Sequence, residues 1–454
     1  MRLLHDEVNR PKELTFVTNE PVPIGHASAG AARIGDVPGE PVTQLWRFVS
    51  KCSATKGAWV NVVKWYVFGG GTFSATRMSD VPLFSLAAQF HLDTMATAFA
   101  IAVSSVVVLR PFARLAGWVD RPSPRKSHEG EIPLVGGWAI LLALIAVQFA
   151  GPPELMAPGG YWVGALILFC VAVVDDRFPI RARYRLVAQL VAATAGIALG
   201  GQMLPDLGDL FGTGGLTAWW IVLPVSILGT VALINAINFM DGADGLCGGL
   251  AFIALFWYLV AVAMASSVAG RILADPTVDA RSIIPMAAAL MGGLAGFLVF
   301  NLRTPWRRCA SVFLGDSGSM VVGFTLAWVA LHLTSAFGTA SVSPIVFLWI
   351  VAVPLADALS CFVRRTLAGD TPMTADLKHL HHLLPRLGLT TSRSVLLIHV
   401  SSFLCGLVGV AGWWLDIPDK QMFTAFVASL LAFTVGTNLA WRRIEKRNTL
   451  LHMA

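Results

Sequence analysis

The densest chemistry in the chain lies in one stretch, LINAINFMDGADGLCGG. Here Asn235, Asn238, Asp241 and Asp244 recur every three residues. On a continuing helix they would form one slowly drifting polar stripe, and Gly242 and Gly245 are placed to break it into a turn. Oxygen-bearing side chains at such spacing suit a hard cation such as Mg²⁺. A structural polar seam and sodium coupling in a transporter are the competing readings.

Four other segments carry similar groups. VVDDRF sets Asp175 beside Asp176. Adjacent carboxylates repel and need a cation, a proton or water. FLGDSGS places Asp316 between Gly315 and Gly318. DRPSPRKSHEG offers Asp120, Arg125, Lys126 and His128 ahead of Gly136 and Gly137. That set reads either as a basic loop or as a phosphate contact, with glycines allowing close backbone approach. The fifth segment holds Asp357, Arg364, Arg365, Asp370, His379, His381 and His382. His381 and His382 are adjacent and no cysteine is near them in this loop, so zinc is disfavoured. Carboxylates and amides favour Mg²⁺ with phosphate, and His with Arg reads as a diphosphate grip. Together these are the groups of phosphoryl transfer. No GxxxxGK[ST] motif indicates an ordinary ATP-driven reaction.

These residues must be positioned by something, and composition says what. Of 454 residues, 56% are hydrophobic and 13% charged. A soluble domain carries roughly 25% charged residues. The chain is therefore expected to be an all-α polytopic membrane protein. Eleven apolar runs fall at about 94–109, 133–150, 160–175, 186–202, 217–237, 246–267, 284–300, 317–333, 342–362, 395–413 and 422–440. Alternating the loops puts 21 Lys and Arg on one side and three (Arg271, Arg281 and Lys420) on the other. The basic side is assigned to the cytoplasm. All five functional segments lie on it, so a cytoplasmic-face active site is expected.

Three domains are read from the chain: 1–93, a membrane domain over 94–440 and a basic tail over 441–454. Residues 1–93 have no long apolar run and no chemistry of their own. They are either a loosely ordered extension or sequence upstream of a start at Met78 or Met95. No basic patch interleaved with aromatics supports nucleic acid. The six cysteines form no CxxC pair, which indicates neither a disulfide framework nor a zinc site.

VVDDRF, NAINFMDGADGL, FLGDSGS and HLHHLL, in this order, resemble the polyprenyl-phosphate N-acetylhexosamine-1-phosphate transferase family (glycosyltransferase family 4, the MraY/WecA superfamily). The match runs over about 95–440. HLHHLL is similar to the WecA-type branch, as MraY-type members carry three consecutive histidines. The resemblance implies transfer of a sugar-1-phosphate, GlcNAc-1-phosphate first among them, from a UDP-sugar to undecaprenyl phosphate. UMP is released, in the first membrane step of surface-polysaccharide or cell-wall polymer synthesis. It implies Mg²⁺, with Mn²⁺ as a substitute, a multi-pass place in the bacterial inner membrane with the C-terminus cytoplasmic, and it allows a homodimer.

By the same resemblance Asn238 and Asp316 are the metal ligands. Asp241 and Asp244 line the nucleotide side or brace the metal. Asp175, supported by Asp176, positions or deprotonates the lipid phosphate. A phosphate monoester has a second pKa near 6, so it is already largely ionised and Asp175 is read first as an organiser. Lys126 contacts the carrier phosphate. Asn235, Arg364, Arg365, His379, His381 and His382 bind the UDP-sugar. In one departure from the WecA pattern, Asp376 is followed by Leu377 where an Arg is usual, and Lys378 comes next. MraY-like transfer of phospho-MurNAc-pentapeptide, a UbiA-like prenyltransferase and an ion-coupled transporter are the alternatives.

Overall fold

Each of the eleven apolar runs is helical in the computed structural model, which describes residues 91–122, 130–151, 156–269, 280–335, 342–369 and 378–453. The helices are α1 (Leu92–Leu115), α2 (Gly136–Ala150), α3 (Gly159–Arg177), α4 (Ala182–Gly200), α5 (Trp219–Phe239), α6 (Leu246–Ala269), α7 (Ala280–Asn301) and α8 (Gly315–Ser335). They continue as α9 (Pro344–Ile350), α10 (Ala352–Ala368), α11 (Leu380–Arg386), α12 (Thr391–Trp414) and α13 (Asp419–Met453). The predicted extension over 1–93 lies outside the described residues, apart from the start of α1.

Among the described residues, eight helices are long and apolar enough to cross a membrane by themselves: α1, α3, α5, α6, α7, α8, α12 and α13. The other runs are more nuanced. The run at 342–362 is two helices, α9 and α10, bent by 76° at a break on Val351. Pro354 explains the break: it has no N–H to give the carbonyl four residues back, and it fits the first turn of a new helix. The run at 133–150 loses its first residues to a strand. β2 (Ile132–Pro133) pairs antiparallel with β1 (Val119–Asp120), Asp120 opposite Ile132. α2 then has 15 residues, about 22 Å, shorter than the roughly 30 Å hydrocarbon layer. α4 opens with Arg183 and Arg185 in its first turns and falls short of the apolarity of a free-standing span.

α8 is the centre of the membrane domain, with 94% of its apolar window buried, against 17% for α1 and 11% for α13. α8 packs against α5, α3 and α2. The α2 contact is backbone on backbone. A Cβ at Gly318 would lie 2.7 Å from Gly137 Cα, and Gly136 and Gly137 N–H donate to the carbonyls of Phe313 and Leu314 at 2.9 and 3.0 Å. The glycines expected to admit a phosphate instead admit a helix, as small residues do in lipid. Peripheral helices turn large apolar side chains outward, among them Val107, Val108 and Phe112 of α1. Exposed apolar surface on this scale needs lipid around it.

Candidate active site

α3 and α5 end where α8 begins, and the polar residues gather at that junction. They line a cavity of about 670 Å³. Asp120, Asp175, Asp176, Asp241, Asp244 and Asp316 lie on its wall, with Arg177, Arg303, His381, His382 and Arg386.

Asp176 ties two helices together. Its Oδ1 accepts the backbone N–H of Asp316 at 2.7 Å and its Oδ2 that of Ser317 at 3.2 Å. A carboxylate from α3 thus caps the first turn of α8, where unsatisfied amides and the helix dipole favour negative charge. Gly315 makes room: its φ is +77°, and a Cβ there would come 2.9 Å from Asp176 Oδ2. Asp316 is held in place from α5, with Asn238 Nδ2 donating to its Oδ1 at 2.6 Å and to Ser319 Oγ at 2.8 Å.

Asp175 has both oxygens engaged. Ile180 N–H donates to Oδ1 at 2.6 Å and Arg185 to Oδ2 at 2.8 Å. The same Arg185 nitrogen is 3.5 Å from Asp316 Oδ2. Arg185 therefore bridges two carboxylates that would otherwise repel.

Asp241 follows the end of α5. Withdrawal from water, then the charges of Asp316 and Asp176, raise its carboxyl well above the usual range. Asp244, three residues on, lies on the same wall with its Oδ2 engaged, accepting Arg303 Nε at 2.8 Å and Ala310 N–H at 3.0 Å. It braces the segment leading to α8. Asn301, absent from the sequence-derived set, does the same from α7, accepting Gly245 N–H at 2.7 Å and donating to Val312 O at 2.9 Å.

The histidines divide by position. His379 is buried behind the cavity, its Nδ1 2.7 Å from Asp357 Oδ2. Asp357 Oδ1 also accepts the N–H of Leu380, so one carboxylate fixes the start of α11. The statement that no cysteine is near the histidines holds along the loop but fails in space: Cys361 Sγ is 3.4 Å from His379 Nδ1, because α10 folds back on the loop. These three groups are near enough to share a cation, but Arg364, 2.9 Å from the same sulfur, already brings positive charge. Burial opposes charging His379, yet its bonds from Asp357 and Cys361 outweigh that and lift its pKa to about 10. His381 faces the cavity, and burial with its neighbours His382 and His379 pushes its pKa down to about 3. Its ring is neutral at physiological pH, and its buried Nδ1 has no hydrogen-bond partner among the described residues.

Other predicted residues sit behind the wall. Asn235 is bound to Gln189 of α4, its Nδ2 2.7 Å from Gln189 Oε1. Arg364 donates to Lys378 O at 2.6 Å, and Arg365 is buried. Lys126 lies outside the described residues.

A mainly helical membrane domain with a carboxylate-lined cavity at one end, flanked by arginine and histidine, defines an integral-membrane protein built to hold polyanions and cations. Residues 159–334 match the family described as Glycosyl transferase family 4. That segment runs from α3 into α8. The undecaprenyl-phosphate alpha-N-acetylglucosaminyl 1-phosphate transferase of Haemophilus influenzae is 32% identical over 338 residues, covering 74% of this chain and 91% of that protein. The proteins of the same name from Yersinia pestis and Escherichia coli K12 are each 31% identical, over 362 and 341 residues. The alignments cover 78% and 73% of this chain and 94% and 87% of those proteins. The chain belongs to this family of membrane sugar-1-phosphate transferases.

Proposed function

We propose that the protein transfers GlcNAc-1-phosphate from UDP-GlcNAc to undecaprenyl phosphate, giving undecaprenyl-diphosphate-GlcNAc and UMP. The observation that carries the reading is the convergence of Asp175, Asp176, Asp241 and Asp316 at the junction of three helices, with arginine and histidine beside them. In the reaction an oxygen of the carrier phosphate bonds to the sugar-bearing phosphorus. The bond from that phosphorus to the oxygen of UMP breaks, and UMP leaves.

The donor set fits Mg²⁺. Carboxylate and amide oxygens crowd together, and Asp241 is raised first by burial and then by the like charges of Asp316 and Asp176, a charge that a hard cation would offset. Asn238 and Asp316 would hold the ion. When bound, Mg²⁺ supplies charge neutralisation on the diphosphate oxygens. Asp176 and Asn238 keep Asp316 in its rotamer and at its height. Asp175, with both oxygens engaged, organises Arg185 rather than taking a proton. Neutral His381 offers a hydrogen bond to the donor without adding charge.

The excess of Lys and Arg in the loops on this side supports a cytoplasmic orientation of the site in a bacterial inner membrane, facing the compartment where nucleotide-sugars are made. The product starts a surface polymer. The assay offers undecaprenyl phosphate with UDP-GlcNAc or UDP-MurNAc-pentapeptide, with and without Mg²⁺. A chloroform-soluble product from UDP-GlcNAc alone supports this reading. A product from the muramyl donor alone moves the chain to MraY-like chemistry.

A further inference from the structure

We propose that Arg386 is a phosphate contact for the nucleotide part of the donor, and that Trp441 of α13 holds it in place. The proposal deepens the functional reading above and rests on it for the identity of the ligand.

The cavity arginines are not equivalent. Arg303 is committed to Asp244, and Arg177 lies against Phe178, its guanidinium carbon 5.8 Å from that ring centre; Arg185, not itself on the wall, is committed to Asp175. Arg386 lines the same cavity, and among the described residues it makes no ion pair with a carboxylate. It stands four residues after His382 on α11, so both point from one side of that helix. Its guanidinium carbon lies 4.7 Å from the centre of the Trp441 ring. A guanidinium laid on an indole face is fixed in orientation, and its N–H edge stays available for a bidentate bond to phosphate.

Trp441 is itself anchored. It is 3% exposed and packs with Leu383 of α11 and Ile444. Its Nε1 donates to Lys378 O at 3.1 Å, and Lys378 Nζ pairs with Glu445 at 2.7 Å. α13 has 35 residues, about 52 Å, where about 30 Å spans the hydrocarbon. The surplus turns carry Trp441, Ile444 and Glu445, and they grip the histidine-bearing segment at Lys378, Leu383 and Arg386. The basic tail is thus part of the site's framework.

The test is UDP binding to the full-length protein in detergent, paired with steady-state kinetics in UDP-GlcNAc. Arg386→Ala is expected to weaken UDP and raise KM for UDP-GlcNAc by about 10–100-fold, the scale of one charge-assisted hydrogen bond. KM for undecaprenyl phosphate and kcat should stay within about threefold. Trp441→Leu should reproduce part of the effect, and adding it to Arg386→Ala should add little, since both act on one contact. Trp441→Phe keeps a ring under the guanidinium and guards against a folding failure; it should bind UDP within about threefold of wild type. Wild-type UDP affinity in Arg386→Ala overturns the proposal. So does a rise in KM for the lipid acceptor alone. If the wild-type protein binds UDP but forms no lipid product, the transferase reading fails, and loss of UDP binding in Arg386→Ala still supports the contact.

Discussion

Asp176, near the end of α3, caps the first turn of α8, accepting the backbone N–H of Asp316 at 2.7 Å. The carboxylate of Asp176 therefore sets where that of Asp316 stands, and the two helices cannot slide without breaking the cap. Asp176→Ala should cost about 0.5–2 kcal/mol, the usual value of a helix N-cap. It should lower the melting temperature in detergent and reduce turnover more than stability. Asp176→Asn keeps one acceptor and should fall between. Thermal melts and turnover for the three proteins check this; an alanine variant with both unchanged contradicts the cap.

Asp316→Asn should abolish Mg²⁺-dependent product formation without loss of folded protein. Asn238→Ala, which removes an ion ligand as well as the group that orients Asp316, should raise the Mg²⁺ concentration for half-activity by at least about 10–100-fold, the scale of losing an orienting group alone. Mg²⁺ titrations of both variants measure this. Full activity of Asp316→Asn at ordinary Mg²⁺ would remove Asp316 from the metal site.

The two histidines should contribute with opposite sign on the two sides of pH 6.5, with the raised carboxyl of Asp241 working against His381 on the acid side. His379 has its folded pKa raised to about 10. Its contribution is fully present below the unfolded value near 6.5 and is lost as pH rises towards 10. His381 has its folded pKa lowered to about 3. The unfolded chain binds that proton first, so the contribution of His381 falls as pH drops from 6.5 towards 3. Asp357→Asn should flatten the alkaline limb and leave the acid limb. Melting temperatures from pH 4 to 10 test both limbs, and an alkaline limb unchanged by Asp357→Asn contradicts the pairing.

Gly318→Ala should destabilise by about 1–3 kcal/mol, because the added methyl meets the backbone of Gly137. The strain falls two residues from Asp316, so activity should fall with stability. Gly117→Ala is a control in one respect only: nothing lies within 4 Å of the added carbon, although φ is +65° there.

Much of this site was readable in the chain, and the unreadable parts share one cause. The three-residue recurrence from Asn235 to Asp244 located the junction, and the turn expected at Gly242 and Gly245 is present, Gly245 with φ +78°. The recurrence did not say that the residues would part company. Asn235 turns to Gln189, Asn238 to Asp316 and Asp244 to Arg303, because a stripe at three-residue spacing drifts around the helix and then leaves it. The length of the apolar runs located the spanning helices. It missed the 76° bend, which follows from one proline. Asp357, Asn301, Arg386 and Trp441 act through partners that only the tertiary fold brings together. Asp357 stood out by type, whereas Arg386 was one among the basic residues of its side and Trp441 carried no signal of its own.

The central claim is that the phosphate next to the sugar travels with it. The direct measurement uses UDP-GlcNAc labelled with ³²P in the β-phosphate, incubated with the protein, undecaprenyl phosphate and Mg²⁺. The label should move into the chloroform phase as unlabelled UMP appears in the water. Label that stays with the nucleotide as UDP, while GlcNAc reaches the lipid, would contradict the account.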